Sequence, residues 1–192
     1  MEIEEIFNAN NGFLRTKVFT SRIQWNQLNR LIKQGKASKI KPGLYRMEKH
    51  ETVDQMTEVA NMICNGVFCM FTAWNYYELS SINPPEFHVA IREKEKIILP
   101  DYPPVKLYYW SDKSYCLGVI EIEKNHHPVK IYDLEKSVCD AVRFRNKIGM
   151  NTTTEILKNY VKKKDKDLDT LIKYAGTLRI ARVMQNLLTV LL

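Results

Sequence analysis

Gln24-Trp-Asn-Gln-Leu-Asn-Arg-Leu-Ile-Lys-Gln34 is followed by Gly35-Lys36 and then by Ala37-Ser-Lys-Ile-Lys-Pro-Gly-Leu-Tyr-Arg-Met47. The first run predicts a helix. At 100° per residue Trp25, Leu28, Leu31 and Ile32 gather on one side, and Asn26, Gln27, Asn29, Arg30 and Lys33 on the other. Gly35 stands at a natural C′ stop. A face that need only be soluble is better served by Glu and Lys, which favour helix more than Asn does. Amides, however, pair with adenine edges and guanidinium groups with guanine edges in the major groove. The second run predicts a hairpin. Lys39-Ile40-Lys41 alternates as a strand, Pro42-Gly43 makes a tight turn, and Leu44-Tyr45-Arg46 returns. Lys39, Lys41 and Arg46 are then candidate phosphate contacts.

Upstream, residues 2–9 carry Ile3, Ile6 and Phe7 at the i, i+3, i+4 spacing of an amphipathic helix, and Asn10-Asn11-Gly12 stops it. Phe13 and Leu14 follow as core residues. Thr16–Thr20 reads as a short second helix, with Thr16 as N-cap and Val18 and Phe19 facing inward. Ser21-Arg22-Ile23 is then the turn before the third helix. Three short helices followed by a basic hairpin make a winged helix-turn-helix over residues 1–48. In that arrangement Asn26, Gln27 and Arg30 read bases, with Gln24 and Asn29 beside them. Lys17, Arg22, Lys33, Lys39, Lys41 and Arg46 meet phosphates. The alternative is a small domain with no nucleic-acid role.

Charge supports the same reading. The chain of 192 residues carries a formal +7, and residues 1–50 hold ten basic and four acidic side chains. The first fifty residues thus hold +6, and the other 142 only +1. A compact basic segment beside a near-neutral body suits a polyanion-binding module, although a solvated basic surface has the same composition. With 45% hydrophobic and 27% charged residues the chain falls in the ordinary globular range. No apolar run approaches the roughly 18 residues of a membrane span, and the acidic start is unlike a secretory leader, so a cytoplasmic protein is expected. Cys64, Cys69, Cys116 and Cys139 all have apolar neighbours and are expected as buried free thiols. His126-His127 reads as a turn rather than a metal pair, because adjacent strand residues point to opposite faces.

Glu48–Thr52 is polar enough for a linker, and residues 53–192 read as a second, α/β domain with a small sheet and a helical C-terminus. Helices are expected at 53–65 and 73–79. Strands are expected at 87–92, 105–110, 117–123 and 129–132. Asp133 is a plausible N-cap for a helix reaching about Arg145, and Thr152–Thr154 for one at 155–162. Two further helices carry Leu168, Leu171, Ile172 and Ala175, then Ile180, Val183, Met184, Leu187, Leu188 and Leu191. Lys162-Lys-Lys164 joins helices as a solvated loop. The fold class expected is α+β.

The N-terminal run Gly12-Phe-Leu-Arg-Thr, the helix Leu28-Asn-Arg-Leu-Ile-Lys-Gln-Gly35 and the hairpin Lys39-Ile-Lys-Pro-Gly-Leu-Tyr45 resemble the AbiEi family, antitoxins of type IV toxin–antitoxin systems associated with phage defence. A second match is Ile131-Tyr-Asp-Leu-Glu-Lys-Ser-Val-Cys-Asp140 followed by Arg143-Phe-Arg145. The helices from Ile156 to Leu188 are also similar. The resemblance implies a repressor that binds double-stranded DNA at repeats in its own promoter. It also implies a functional partner, a nucleotidyltransferase-like toxin counteracted without a stable complex. By the same resemblance Lys136, Asp140, Arg143 and Arg145 are a candidate antitoxin surface. Read from the residues alone, they are an ion-paired surface helix. A solitary transcription factor with a ligand- or partner-sensing C-terminal domain is the alternative.

An enzyme is not expected. No phosphate-binding glycine loop, nucleophile elbow or H-E-x-x-H occurs. Asp101 with Glu121-Ile-Glu-Lys124 approaches a nuclease pattern but misses its register, since Glu121 and Glu123 share a strand face and Lys124 points away. No catalytic residue, metal or cofactor is assigned. Trp74, Tyr76, Tyr77, Tyr108, Tyr109 and Trp110 are expected in the core rather than as a base-stacking platform.

Overall fold

The computed structural model describes residues 3–10, 12–48, 54–124 and 127–191. It is a mixed α+β chain with two small sheets, and its residues divide into two compact units. The first unit comprises Met1–Cys64, Ile97–Pro103 and Glu123–Val129. The second comprises Asn65–Lys96, Pro104–Ile122 and Lys130–Leu192. The chain thus first passes from one unit to the other after Cys64 and returns to the first unit twice. Most of the expected linker, and Val53, lie outside the described residues.

In the first unit, α1 (Ile3–Ala9) is followed by β1 (Phe13–Arg15), α2 (Arg22–Lys33), β2 (Ala37–Lys41), β3 (Leu44–Met47) and α3 (Gln55–Met62). The three strands form an antiparallel sheet in the order β1-β3-β2. Leu14 pairs with Tyr45 and Ala37 with Met47, so these four share one sheet face. They pack with Ile3, Ile6 and Phe7 of α1 and Leu28 and Leu31 of α2 into one core. β1 was not expected as a strand, although its Phe13 and Leu14 are buried as anticipated.

Residues 16–20 do not form the expected helix. Thr16–Val18 is a single 3-10 turn without a side-chain cap, and Val18 is 54% exposed. Val18 and Phe19 are poor helix formers with only one turn to share the cost of nucleation. Ser21, read as part of a turn, is instead the N-cap of α2. Its hydroxyl accepts from the Gln24 N–H, and the Gln24 side chain accepts from the Ser21 N–H, a reciprocal capping box. The helix therefore starts at Arg22, two residues early. It ends as expected, with Gly35 just beyond it at φ +68°.

The second unit holds most of a five-stranded sheet in the order β6-β5-β4-β8-β7, from β4 (Val67–Phe68), β5 (Phe87–Arg92), β6 (Val105–Trp110), β7 (Val119–Lys124, whose last two residues fall in the first unit) and β8 (His127–Tyr132, whose first three do). β5–β6 and β4–β8 run parallel, and β4–β5 antiparallel. The two-residue β4 was too short to announce itself. Helices α4 (Met70–Tyr76), α5 (Asp112–Tyr115), α6 (Leu134–Arg143), α7 (Arg145–Ile148), α8 (Met150–Lys162), α9 (Leu168–Thr177) and α10 (Ala181–Leu191) complete the chain. Asp133 caps α6 by accepting from the Lys136 N–H, as expected. α8 starts five residues earlier than expected. Thr152 and Thr153 are buried in its first turn, and the Thr153 hydroxyl donates to the Gly149 carbonyl instead of capping.

α6 is the axis of this unit. Every residue from Leu134 to Val142 is buried, and its apolar members join Trp74, Trp110, Tyr132, Ile156, Leu157, Tyr160, Leu171 and Met184 in one core. Of the aromatics expected inside, Trp74 and Trp110 are buried, Tyr77 and Tyr108 partly so, and Tyr76 and Tyr109 are exposed. Cys69 and Cys139 are buried thiols, but Cys64 and Cys116 are exposed, which corrects the expectation of four buried ones. His127 lies buried in β8 rather than in a turn, edge-on to Phe13, and His126 lies outside the described residues. Among the described residues no helix is long and apolar enough to cross a membrane.

Candidate nucleic-acid interface

With Leu28 and Leu31 buried, α2 presents its opposite side to solvent. Arg22, Asn26, Asn29, Arg30 and Lys33 are all exposed there. Gln27 is half-buried and lines a shallow hollow of about 290 Å³ with Ile3, Glu4, Arg30, Leu31, Gln34 and Lys36. Lys36 was not singled out from the sequence. It follows Gly35 outside the helical periodicity, yet it shares this hollow with Arg30. Trp25 is not a core residue. It sits on the flank of α2, 41% exposed, with its ring edge-on to Phe19 at 5.1 Å. Gln24 is committed to the capping box: its side-chain oxygen accepts from the Thr20 and Ser21 N–H groups. Lys17 is exposed beyond β1.

The hairpin divides its cations between two faces. Lys39 pairs with Tyr45 and is exposed at the rim of the face that carries the core and α2. Arg46 pairs with Phe13 and Ser38, one residue out of phase, and so projects from the opposite face. Lys41 would follow Lys39 by alternation, but a register shift between them pairs Lys41 with Leu44, which also pairs with Arg15. An irregularity of this kind turns a side chain to the other side of a strand.

Arg15, Lys41 and Arg46 all end on α3. The Arg15 guanidinium donates to the Asn61 carbonyl at 2.6 Å, and the Lys41 ammonium to the Met62 carbonyl at 2.6 Å. Arg46 bonds the Glu58 carboxylate at 3.0 Å and lies 3.7 Å from Glu48. Burial lowers the pKa of Lys41. Lys41 and Arg46 are therefore structural in this arrangement and not the free phosphate contacts expected. Among the described residues up to Glu48, the cations left to solvent are Lys17, Arg22, Arg30, Lys33, Lys36 and Lys39.

Of the four residues expected as an ion-paired surface, Lys136 and Asp140 on α6 are not at the surface. Lys136 and Asp140 are fully buried, and the Lys136 ammonium donates to both carboxylate oxygens at 2.6 and 2.8 Å. It also lies over the rings of Trp110 and Tyr132, 4.1 and 4.2 Å from their centroids. Burial raises the pKa of Asp140, and the neighbouring ammonium opposes that rise. Arg143 donates to the Ser114 hydroxyl at 3.0 Å and Arg145 to the Val142 carbonyl at 3.0 Å, both half-buried. The reason is that i, i+4 spacing fits an internal pair as well as an external one. Val138, Ala141 and Val142 leave this helix apolar between its charges.

Among the described residues, no three His, Cys, Asp or Glu side chains are grouped so as to hold a metal ion. Asp101, Glu121 and Glu123 are exposed, and Glu121 alternates with the half-buried Ile122 on β7. Compared with known proteins, the chain matches no family model and no curated protein.

Proposed function

We propose that residues 1–48 form a winged helix-turn-helix whose α2 enters the major groove of double-stranded DNA, and that the protein is a transcriptional repressor of its own promoter. The observation that carries this reading is the outward stripe of α2, where amide and guanidinium side chains stand free over a helix held by Leu28 and Leu31. Asn26, Asn29 and Arg30 are the base readers, with Gln27 at their edge. Arg22, Lys33, Lys36, Lys39 and Lys17 hold the phosphates. The wing is narrower in this role than its sequence suggested, because Lys39 alone of its three cations is free.

The test is a mobility-shift titration of the full chain against the duplex upstream of its gene. Arg30→Ala lowers discrimination at one base pair by about 1–3 kcal/mol. Lys33→Ala weakens binding to all sequences alike and reduces the salt slope by about one phosphate. Wild-type binding by both variants removes α2 from the interface.

The resemblance to AbiEi antitoxins extends the proposal to a second activity, relief of a nucleotidyltransferase-like toxin encoded nearby. Co-expression tests it. Growth restored by the full chain supports the antitoxin role, and arrest that persists leaves the protein as a regulator alone. Because Lys136 and Asp140 are internal, such an activity would use other residues.

A further inference from the structure

We infer that Ile23 is a specificity-determining residue that recognises the methyl group of a thymine, an inference that rests on the DNA-binding reading of α2. Ile23 lies in the first turn of the helix and is 68% exposed. It is spaced i, i+3, i+7 with Asn26 and Arg30, so the three side chains fall within about 60° of the helix circumference. All three are exposed. An exposed aliphatic side chain is by itself ordinary. This one interrupts a polar stripe and is β-branched, a form that loses side-chain freedom in a helix. At 68% exposure, packing offsets little of that loss.

The neighbours decide what the side chain can meet. Arg22 and Arg30 on the same helix and Lys17 just before it are exposed cations. Between Arg15 and Lys49 the sequence has one acid, Glu48. An apolar group framed by cations fits a surface that is anionic yet offers an apolar point. The major groove does so at thymine, whose C5-methyl stands beside the O4 acceptor. With Asn26 and Arg30 reading polar edges on the same stripe, Ile23 supplies the apolar contact that tells thymine from cytosine or uracil.

The experiment uses the full chain and a duplex selected by that chain from a randomised pool. Each thymine of the selected site is replaced in turn by deoxyuridine, which removes one methyl group and no hydrogen-bonding atom. For the wild type, one replacement weakens binding about fourfold, the effect of losing one buried methyl. For Ile23→Ala the same replacement changes binding less than twofold, and Ile23→Val restores sensitivity. Circular dichroism confirms that both variants are folded. If the wild type tolerates every replacement, or Ile23→Ala keeps the full effect, the inference falls while DNA binding stands. If no duplex can be selected, the DNA-binding reading falls and takes the inference with it.

Discussion

Lys136 and Asp140 illustrate how a single pair can hold a core in register. A buried ammonium facing a carboxylate and two ring faces is well paired, but its net stabilisation is small because both ions leave water. Removing one partner is a different matter. Asp140→Asn leaves the ammonium short of its counter-ion and should destabilise the fold by about 3–5 kcal/mol, read from denaturant midpoints. The double change Lys136→Met with Asp140→Leu should recover most of that loss, since shape is kept and no charge is stranded. Gly118 is part of the same fit: with φ at +68°, a Cβ there would lie 2.7 Å from Lys136 Cβ. His88 is a second internal polar residue. Its ring is buried against Phe71 and Tyr108, and Nδ1 meets the Tyr108 hydroxyl at 2.9 Å. Burial lowers its pKa from 6.5 to about 4; Lys106 also lowers it, and Glu86 opposes. The unfolded chain therefore binds a proton more readily than the folded one. The stability contributed by neutral His88 is complete above about pH 6.5 and is lost as pH falls towards 4. Denaturation midpoints across that window should fall more steeply for the wild type than for His88→Gln; parallel curves would contradict the assignment.

Elements were legible in proportion to their periodicity. α2 and α6 were visible because their apolar residues recur at helical spacing, and β5 and β6 because they are long and bounded by turn residues. The 3-10 turn at Thr16–Val18 was misread as helix because a pattern of five residues cannot separate one turn from two. The capping box was missed because Ser21 and Gln24 signal a helix start only when read as a pair. The hairpin was legible as a hairpin, but not its register. Strand alternation assigned Lys39 and Lys41 to one face, whereas the shift between them sends Lys41 to α3. This has a measurable consequence in duplex binding. Lys39→Ala should reduce the slope of log affinity against log salt by about one unit, and Lys41→Ala should leave it unchanged. Equal effects would mean that the Lys41 contact with Met62 opens on DNA.

At the scale of the molecule, charge was the most readable property and contact the least. The concentration of basic residues before residue 50 is a fact of composition, and among the described residues six of those cations are open to solvent. That three others turn onto α3 depends on residues more than ten positions away, and no local pattern carries such information. The burial of α6 was hidden for a related reason. A helix whose charges pair internally has the hydrophobic rhythm of an amphipathic one, and only the elements packed around it reveal the difference.

The uneven exposure of the thiols gives the native chain a built-in set of labelling handles. Cys64 belongs to the first compact unit and Cys116 to the second, while Cys69 and Cys139 are sealed in the second. A maleimide dye or spin label should react quickly at two sulfurs and reach four only in denaturant. The protein thus arrives ready for a distance measurement between its halves, with no engineered cysteine and with the slow pair as an internal gauge of folding.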